Sequence, residues 1–163
     1  LLRVNIKTNY LHSNFEIRLF NFFTSILIYI LPIMETKVKF ELEFPIHASP
    51  QMLYQYISSA SNLSEWFADN VNSRGIIFSF FWDGIEEKAE LLSSKSNSFV
   101  KFRWLDGSDD QDKCFFEIRI VVDEITKDVS LMVTDFSYED EIEENKMLWE
   151  NQISDLKQVI GAS

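Results

Sequence analysis

Apolar and polar residues alternate strictly near position 40, where Val38, Phe40, Leu42 and Phe44 are separated by lysine and glutamate residues. A period of two predicts a strand with one buried face. Pro45 follows, and proline ends a strand because it cannot donate the next backbone hydrogen bond. The first regular element is therefore predicted to be a half-buried strand.

Helical spacing replaces this alternation after Ser49, which precedes Pro50 as an N-cap residue precedes a first-turn proline. A first helix is predicted over about 50 to 59. Polar caps predict that a second, short helix begins near Asn62 or Ser64. Three apolar residues are expected on it: Leu63, Trp66 and Phe67.

Five further segments carry the apolar, aromatic and β-branched residues that are typical of strands. They run from Ile76 to Trp82, Glu86 to Leu92, Phe99 to Leu105, Cys114 to Ile125 and Val129 to Tyr138. Short connections such as Asp83-Gly84 suit hairpins, and residues 106–110 are expected to form a longer acidic loop. Consecutive hairpins predict an antiparallel meander.

Strand parity assigns the aromatic residues to one face of this sheet. The residues that share the face are Phe78, Phe80, Trp82, Val100, Phe102, Trp104, Phe116, Ile118, Ile120 and Val122. On the last strand Met132, Thr134 and Phe136 share a side. We therefore expect Asp135, which alternates with them, to face water.

A long amphipathic helix is predicted at the C-terminal end. The acidic run from Glu139 to Glu144 suits the positive end of a helix dipole, and Gly161 is a natural stop. The apolar stripe of the helix consists of Ile142, Trp149, Ile153, Leu156 and Ile160. Only the aromatic face of the sheet is apolar enough to cover this stripe, so the helix is predicted to pack across the sheet.

The order of these elements is that of an α+β helix-grip fold: a strand, two short helices, a curved meander and a long C-terminal helix. From about Lys37 to Ile160 the chain resembles the START-like, or SRPBCC, superfamily. The segment from Leu63 to Asp69, which includes Trp66, is similar to the branch that contains the activator-of-heat-shock-ATPase homologues. The resemblance implies a cavity between sheet and long helix that holds lipids, sterols, polyketides or other apolar molecules. It does not imply one activity, because the same fold hosts carriers, cyclases, hormone receptors and co-chaperones.

Composition fits one globular domain in 163 residues, with 15 Phe and 4 Trp as its unusual feature. The formal net charge is −11, and it is concentrated after Met34. Residues 1–33 contain one acidic residue, Glu16, and three basic residues, Arg3, Lys7 and Arg18. The chain from Met34 onward therefore contains 25 of the 26 acidic residues and 12 of the 15 basic ones. Such a surface repels phosphate backbones and anionic lipid head groups, so we expect neither nucleic-acid nor membrane partners. We expect a cytoplasmic protein.

The first 33 residues differ in kind from the rest, since they contain no Ala, Gly, Asp or Gln. We expect residues 1–33 to be upstream sequence translated in frame, because Asn, Ile, Lys, Phe and Tyr are residues of AT-rich codons. The alternative is an export signal or membrane anchor, since residues 19–33 are mostly apolar. The START-like domain is expected to span residues 34–163.

Few residues point to catalysis or to a cofactor. The histidines are His12 and His47, Cys114 is the single cysteine, and the four glycines are dispersed. The sequence therefore predicts no metal site, no serine triad, no phosphate-binding loop and no cofactor. Three glutamates weighed as acids or bases are expected to point away from the apolar face: Glu41, Glu43 and Glu117.

Nine residues are predicted to line the interior between sheet and C-terminal helix: Trp66, Phe78, Phe80, Trp82, Phe102, Trp104, Phe116, Trp149 and Ile153. The leading hypothesis is a non-enzymatic domain that binds a hydrophobic small molecule there. A second hypothesis is a protein-interaction module similar to the heat-shock ATPase activators, with a filled core and an acidic outer face that recognises a basic partner. A third, an enzyme of the cyclase kind, requires an inward-facing polar cluster that the sequence does not reveal.

Overall fold

In the computed structural model, which describes residues 36–105 and 114–162, seven antiparallel strands form one sheet. They are β1 Val38–Pro45, β2 Asn70–Arg74, β3 Ile77–Trp82, β4 Ile85–Lys95, β5 Phe99–Trp104, β6 Phe116–Val122 and β7 Val129–Ser137. Their order across the sheet is β1-β7-β6-β5-β4-β3-β2. The strands from β3 to β7 form the predicted meander, β2 extends it beyond β3, and β1 lies beside β7.

Two short helices connect β1 to β2, and a long helix follows β7. They are α1 Pro50–Ser58, α2 Ala60–Leu63 and α3 Ile142–Ile160, the last preceded by a 3-10 turn over Glu139–Glu141. Ser49 caps α1, because its side chain accepts the backbone N–H of Met52 at 3.2 Å. Gly161 ends α3 with a φ of 67°, a left-handed conformation that favours glycine. These elements confirm the predicted α+β helix-grip fold.

Strand β2 is an element that the sequence pattern did not reveal. Of its five residues only Val71 is apolar, and only Val71 is buried. The strand lies at the edge of the sheet and pairs with β3 alone. Because an edge strand can be held by one buried residue, it need not show the alternation from which strands are predicted.

Helix α2 begins earlier than predicted. Its N-cap is Ser59, whose side chain accepts the backbone N–H of Asn62 at 3.3 Å, so a start at Asn62 or Ser64 is wrong. Ser64 instead ends the helix, and its hydroxyl accepts a backbone N–H from β2 at 2.7 Å. Trp66 and Phe67 consequently lie in the turn between α2 and β2.

The predicted aromatic face forms the core of the domain. Phe80, Phe102 and Phe116 are almost completely buried, and Phe78 is buried beside them. The Phe102 ring centroid lies 5.1 Å from those of both Phe78 and Phe116. Helix α3 covers the face with three buried residues: Trp149, Ile153 and Leu156. Each such side chain contributes roughly 1.5–3 kcal/mol, so this layer is the main source of stability.

No helix within the described ranges is long and apolar enough to cross a membrane. The residues predicted to be a leader or an anchor, 1–33, and those predicted to form an acidic loop, 106–110, lie outside these ranges.

Candidate ligand-binding site

A pocket of about 370 Å³ lies between α3, the turn after α2 and the inner face of the sheet. We call it the aromatic pocket. Its apolar lining consists of Phe67, Trp82, Trp104, Leu148 and Trp149. Its polar lining consists of Glu87, Asp135, Asn145 and Gln152. The pocket thus combines large rings with a few polar groups, as small-molecule sites commonly do.

Two of the pocket tryptophans rest on rings of the core. Trp82, the last residue of β3, stacks on Phe80 with 5.8 Å between ring centroids. Its indole Nε1 donates to the backbone oxygen of Phe67 at 3.1 Å. Trp104, the last residue of β5, stacks on Phe116 with centroids 5.0 Å apart. Packing on one side therefore fixes both rings at the rim of the pocket.

Asp135 lines the aromatic pocket, so the prediction that it faces water is wrong. It lies opposite Phe40 in the β1–β7 register and shares the inner face with Leu131 and Val133, which are fully buried. Its Oδ2 accepts the indole N–H of Trp149 at 2.8 Å. The carboxylate is therefore held in place by helix α3.

Burial raises the pKa of Asp135 to about 6, because desolvation disfavours the ionised carboxylate. Three weaker influences lower the pKa: the hydrogen bond from Trp149, the backbone N–H of Phe136 and the charge of Lys37. Near neutral pH the Asp135 side chain is consequently mostly ionised, although it borders a pocket lined by aromatic rings.

Glu87 is a second pocket carboxylate that sequence analysis did not identify. It lies opposite Phe80 in the β3–β4 register and two residues before the fully buried Ala89, so parity places it on the inner face. Glu86 and Lys88 flank it, and this unbroken charged run conceals the alternation of faces.

Polar side chains of α3 fix the helix to its neighbours around the pocket. The Asn145 amide donates to the hydroxyl of Ser137 at 2.7 Å and to the backbone oxygen of Glu141 at 3.1 Å. The Gln152 amide donates to the backbone oxygen of Phe67 at 3.3 Å. The helix therefore meets the sheet and the turn after α2 through polar contacts as well as apolar ones.

The nine residues predicted to line the interior divide into three groups. Three of them border the aromatic pocket: Trp82, Trp104 and Trp149. Five are packed in the core and border neither the aromatic pocket nor the cavities next to Trp66 and His47: Phe78, Phe80, Phe102, Phe116 and Ile153. Trp66 borders a more open groove of about 570 Å³ between the turn after α2 and helix α3, and Trp82 borders this groove as well as the aromatic pocket. Most of the residues predicted to line a cavity are thus packed in the core, and those that border the aromatic pocket lie at one end of the aromatic face.

The other candidate groups lie away from the aromatic pocket. Glu41 pairs with Lys39 and Glu117 with Arg119, on the outer face that parity predicts for them. The exposed His47 borders a separate cavity of about 450 Å³ next to the loop between β6 and β7. In residues 36–105 and 114–162, no three His, Cys, Asp or Glu side chains are grouped closely enough to hold a metal ion.

Comparison with solved structures supports the fold. A Bacteroides fragilis protein is 34% identical, with 76% of this chain and 91% of that chain covered and a TM-score of 0.54. The Aha1 dimer from Colwellia psychrerythraea is 16% identical, with 74% and 93% covered and a TM-score of 0.63. DynU16, from the dynemicin biosynthetic locus, is 13% identical, with 76% and 47% covered and a TM-score of 0.61. The last two show likeness of fold alone.

No curated protein sequence matches the chain significantly. The family profile described as a START-like superfamily domain matches residues 34–162, which is most of the chain. The predicted resemblance is confirmed, and the chain belongs to the START-like superfamily.

Proposed function

We propose that the domain binds a small, mainly apolar molecule in the aromatic pocket without converting it chemically. The observation that carries this proposal is the pocket of about 370 Å³ bordered by Trp82, Trp104 and Trp149. Small-molecule sites commonly occupy about 300–1,000 Å³ and have mainly apolar walls. The pocket lies at the small end of that range.

The packed core limits how deep such a ligand can lie. Phe80, Phe102 and Phe116 are at most 1% exposed and occupy the space beneath the pocket. A ligand would therefore lie at the open end of the helix–sheet interface. This favours a compact molecule over one with a long chain.

Asp135 supports a binding role more than a catalytic one. One carboxylate oxygen accepts the indole N–H of Trp149 at 2.8 Å, and the other accepts the backbone N–H of Phe136 at 2.7 Å. Both hydrogen bonds favour the ionised form of the carboxylate over the protonated one, and each oxygen keeps a lone pair that can face a ligand. The carboxylate is better suited to fixing a ligand than to moving a proton.

Titration with the neutral fluorescent dye prodan tests the proposal, because the emission of this dye shifts on transfer to an apolar site. Leu148→Glu places a charge at the pocket and should weaken dye binding by about tenfold or more. Met147→Glu is the matched control, since Met147 is the preceding helical residue, is similarly exposed and does not line the pocket. Binding to Met147→Glu should equal that of the unmodified protein.

Two results would contradict the proposal. One is dye binding that both substitutions weaken equally, which would place the dye elsewhere on α3. The other is the absence of any saturable binding, together with native mass spectra of the purified protein that show no small-molecule adduct.

A second candidate is a protein-interaction module for a basic partner. The packed core rings and the net charge of −11 are the features that favour it. Its recognition would be electrostatic, so a partner captured at low ionic strength should be released as salt rises. Capture that is unchanged in high salt would count against this candidate.

A further inference from the structure

We propose that the aromatic pocket selects a small organic cation, such as a quaternary or protonated tertiary amine, held between tryptophan rings and the carboxylates of Glu87 and Asp135. This inference deepens the proposed function and rests on it.

The charged side chains that line the pocket are all of one sign. Glu87 and Asp135 are its two ionisable lining residues, whereas Asn145, Gln152 and the apolar walls are neutral. Lys37 is the basic group that influences Asp135, and its effect is the weakest of those acting on the carboxylate. An anionic ligand would meet two carboxylates, whereas a cation would be attracted by both.

Two of the tryptophan rings both pack on the core and border the pocket. Trp82 stacks on Phe80 and Trp104 stacks on Phe116, and part of each indole lines the pocket. The two indole centroids lie 6.0 Å apart and their planes are inclined by 58°. Inclined indoles next to a carboxylate suit a cation, because the negative face of an indole attracts positive charge.

The negative charge of Asp135 favours a cationic ligand over a neutral one. The carboxylate is half-buried and remains mostly ionised at neutral pH, since its pKa is about 6. A neutral ligand that covered the pocket would remove more water from this charge, and would either leave it poorly solvated or drive it to take up a proton. A cation would replace the lost hydration by direct attraction, so cation binding avoids this cost.

Choline and its uncharged carbon isostere 3,3-dimethylbutan-1-ol give a direct test, because the two differ mainly in the positive charge. Dissociation constants from NMR titrations of the full chain should be at least about fivefold lower for choline. Glu87→Gln and Asp135→Asn should each reduce choline affinity severalfold and leave binding of the isostere unchanged or stronger. Asn at 135 retains an oxygen that can accept the Trp149 N–H, so the fold is expected to persist.

Glu86→Gln is the matched control, because it removes the same charge from the neighbouring residue. Glu86 lies outside the pocket lining and pairs with Lys88 at 3.5 Å. Choline affinity that falls equally in Glu86→Gln and Glu87→Gln would show attraction to the overall charge and would overturn the inference. Equal binding of choline and its isostere would also overturn it, yet would leave the proposed function standing. If choline, its isostere and prodan all failed to bind, both this inference and the proposed function would be overturned.

Discussion

The two ends of the aromatic face differ in what surrounds their rings. At the closed end, Phe80, Phe102 and Phe116 are almost fully buried, and Phe102 packs against the other two. At the open end, Trp82 and Trp104 are only partly buried and border a pocket. Both ends consist of large aromatic residues with the same strand parity.

The rings that are packed and the rings that border the pocket therefore differ in their position along the strands. Trp82 and Trp104 are the last residues of β3 and β5. Trp82 has no partner on β2 and Trp104 has none on β6, so each has a neighbouring strand on one side only. The two inward carboxylates, Glu87 and Asp135, also line the pocket at this open end. Polar groups are tolerated there because water or a ligand can reach them, whereas the closed end excludes both.

The largest expected effect comes from the closed end. Phe102→Ala should lower the free energy of unfolding by about 3–5 kcal/mol, because it removes a ring from a packed core and leaves a cavity. Leu148→Ala, at the open end where the side chain is 53% exposed, should lower it by less than about 1 kcal/mol. Urea denaturation of both variants measures the difference. Equal losses would contradict the division into two ends.

A smaller effect, dependent on pH, is expected from Asp135. Its folded-state pKa of about 6 lies above its ordinary value of 3.8, so its contribution to stability is fully present below about pH 4 and is lost as pH rises through about 6. Asp135→Asn lacks this titration. The stability of the unmodified protein relative to this variant should therefore fall by about 3 kcal/mol between those limits.

Unfolding curves of the two proteins at a series of pH values measure this change. Other carboxylates whose pKa values differ from their usual ones, such as Glu41 and Asp123, are present in both proteins, so their effects cancel. A stability difference that is constant from pH 4 to pH 7, or that grows with pH, would show that Asp135 is not desolvated.

The smallest predicted change separates two tryptophans that make the same kind of hydrogen bond. Trp82 and Trp66 each donate an indole N–H to a backbone oxygen at 3.1 Å, but only Trp82 borders the aromatic pocket. Replacing either with Phe should cost about 1 kcal/mol of stability. Only Trp82→Phe should weaken prodan binding, and a comparable loss in Trp66→Phe would place the site in the neighbouring groove.

Most of the fold could be predicted because its strands and its long helix carry strong periodic patterns. The parity of Phe80 and Phe102 and the stripe of α3 identified the two layers of the core. The edge strand β2 was not predicted, because one buried valine generates no periodicity. The start of α2 was misplaced because Ser59, Ser61, Asn62 and Ser64 all offer caps, and only the three-dimensional contacts select among them.

The candidate site was less predictable, and Asp135 shows why. Strand β7 is buried on both faces, with Ser130 and Thr134 on the outer face and Leu131 and Val133 on the inner one. Alternation of composition therefore does not tell the faces apart. The signal that could have identified Asp135 is its shared parity with Leu131 and Val133, two aliphatic residues typical of a core.

The central claim is that a ligand binds at the open end of the aromatic face, and the indole N–H resonances of the 4 tryptophans test it most directly. In protein labelled with ¹⁵N at tryptophan, addition of prodan should shift the resonances of Trp82, Trp104 and Trp149, which border the pocket. The resonance of Trp66, which does not border it, should stay in place. A spectrum in which Trp66 shifts most, or in which the three pocket resonances do not move, would contradict the claim.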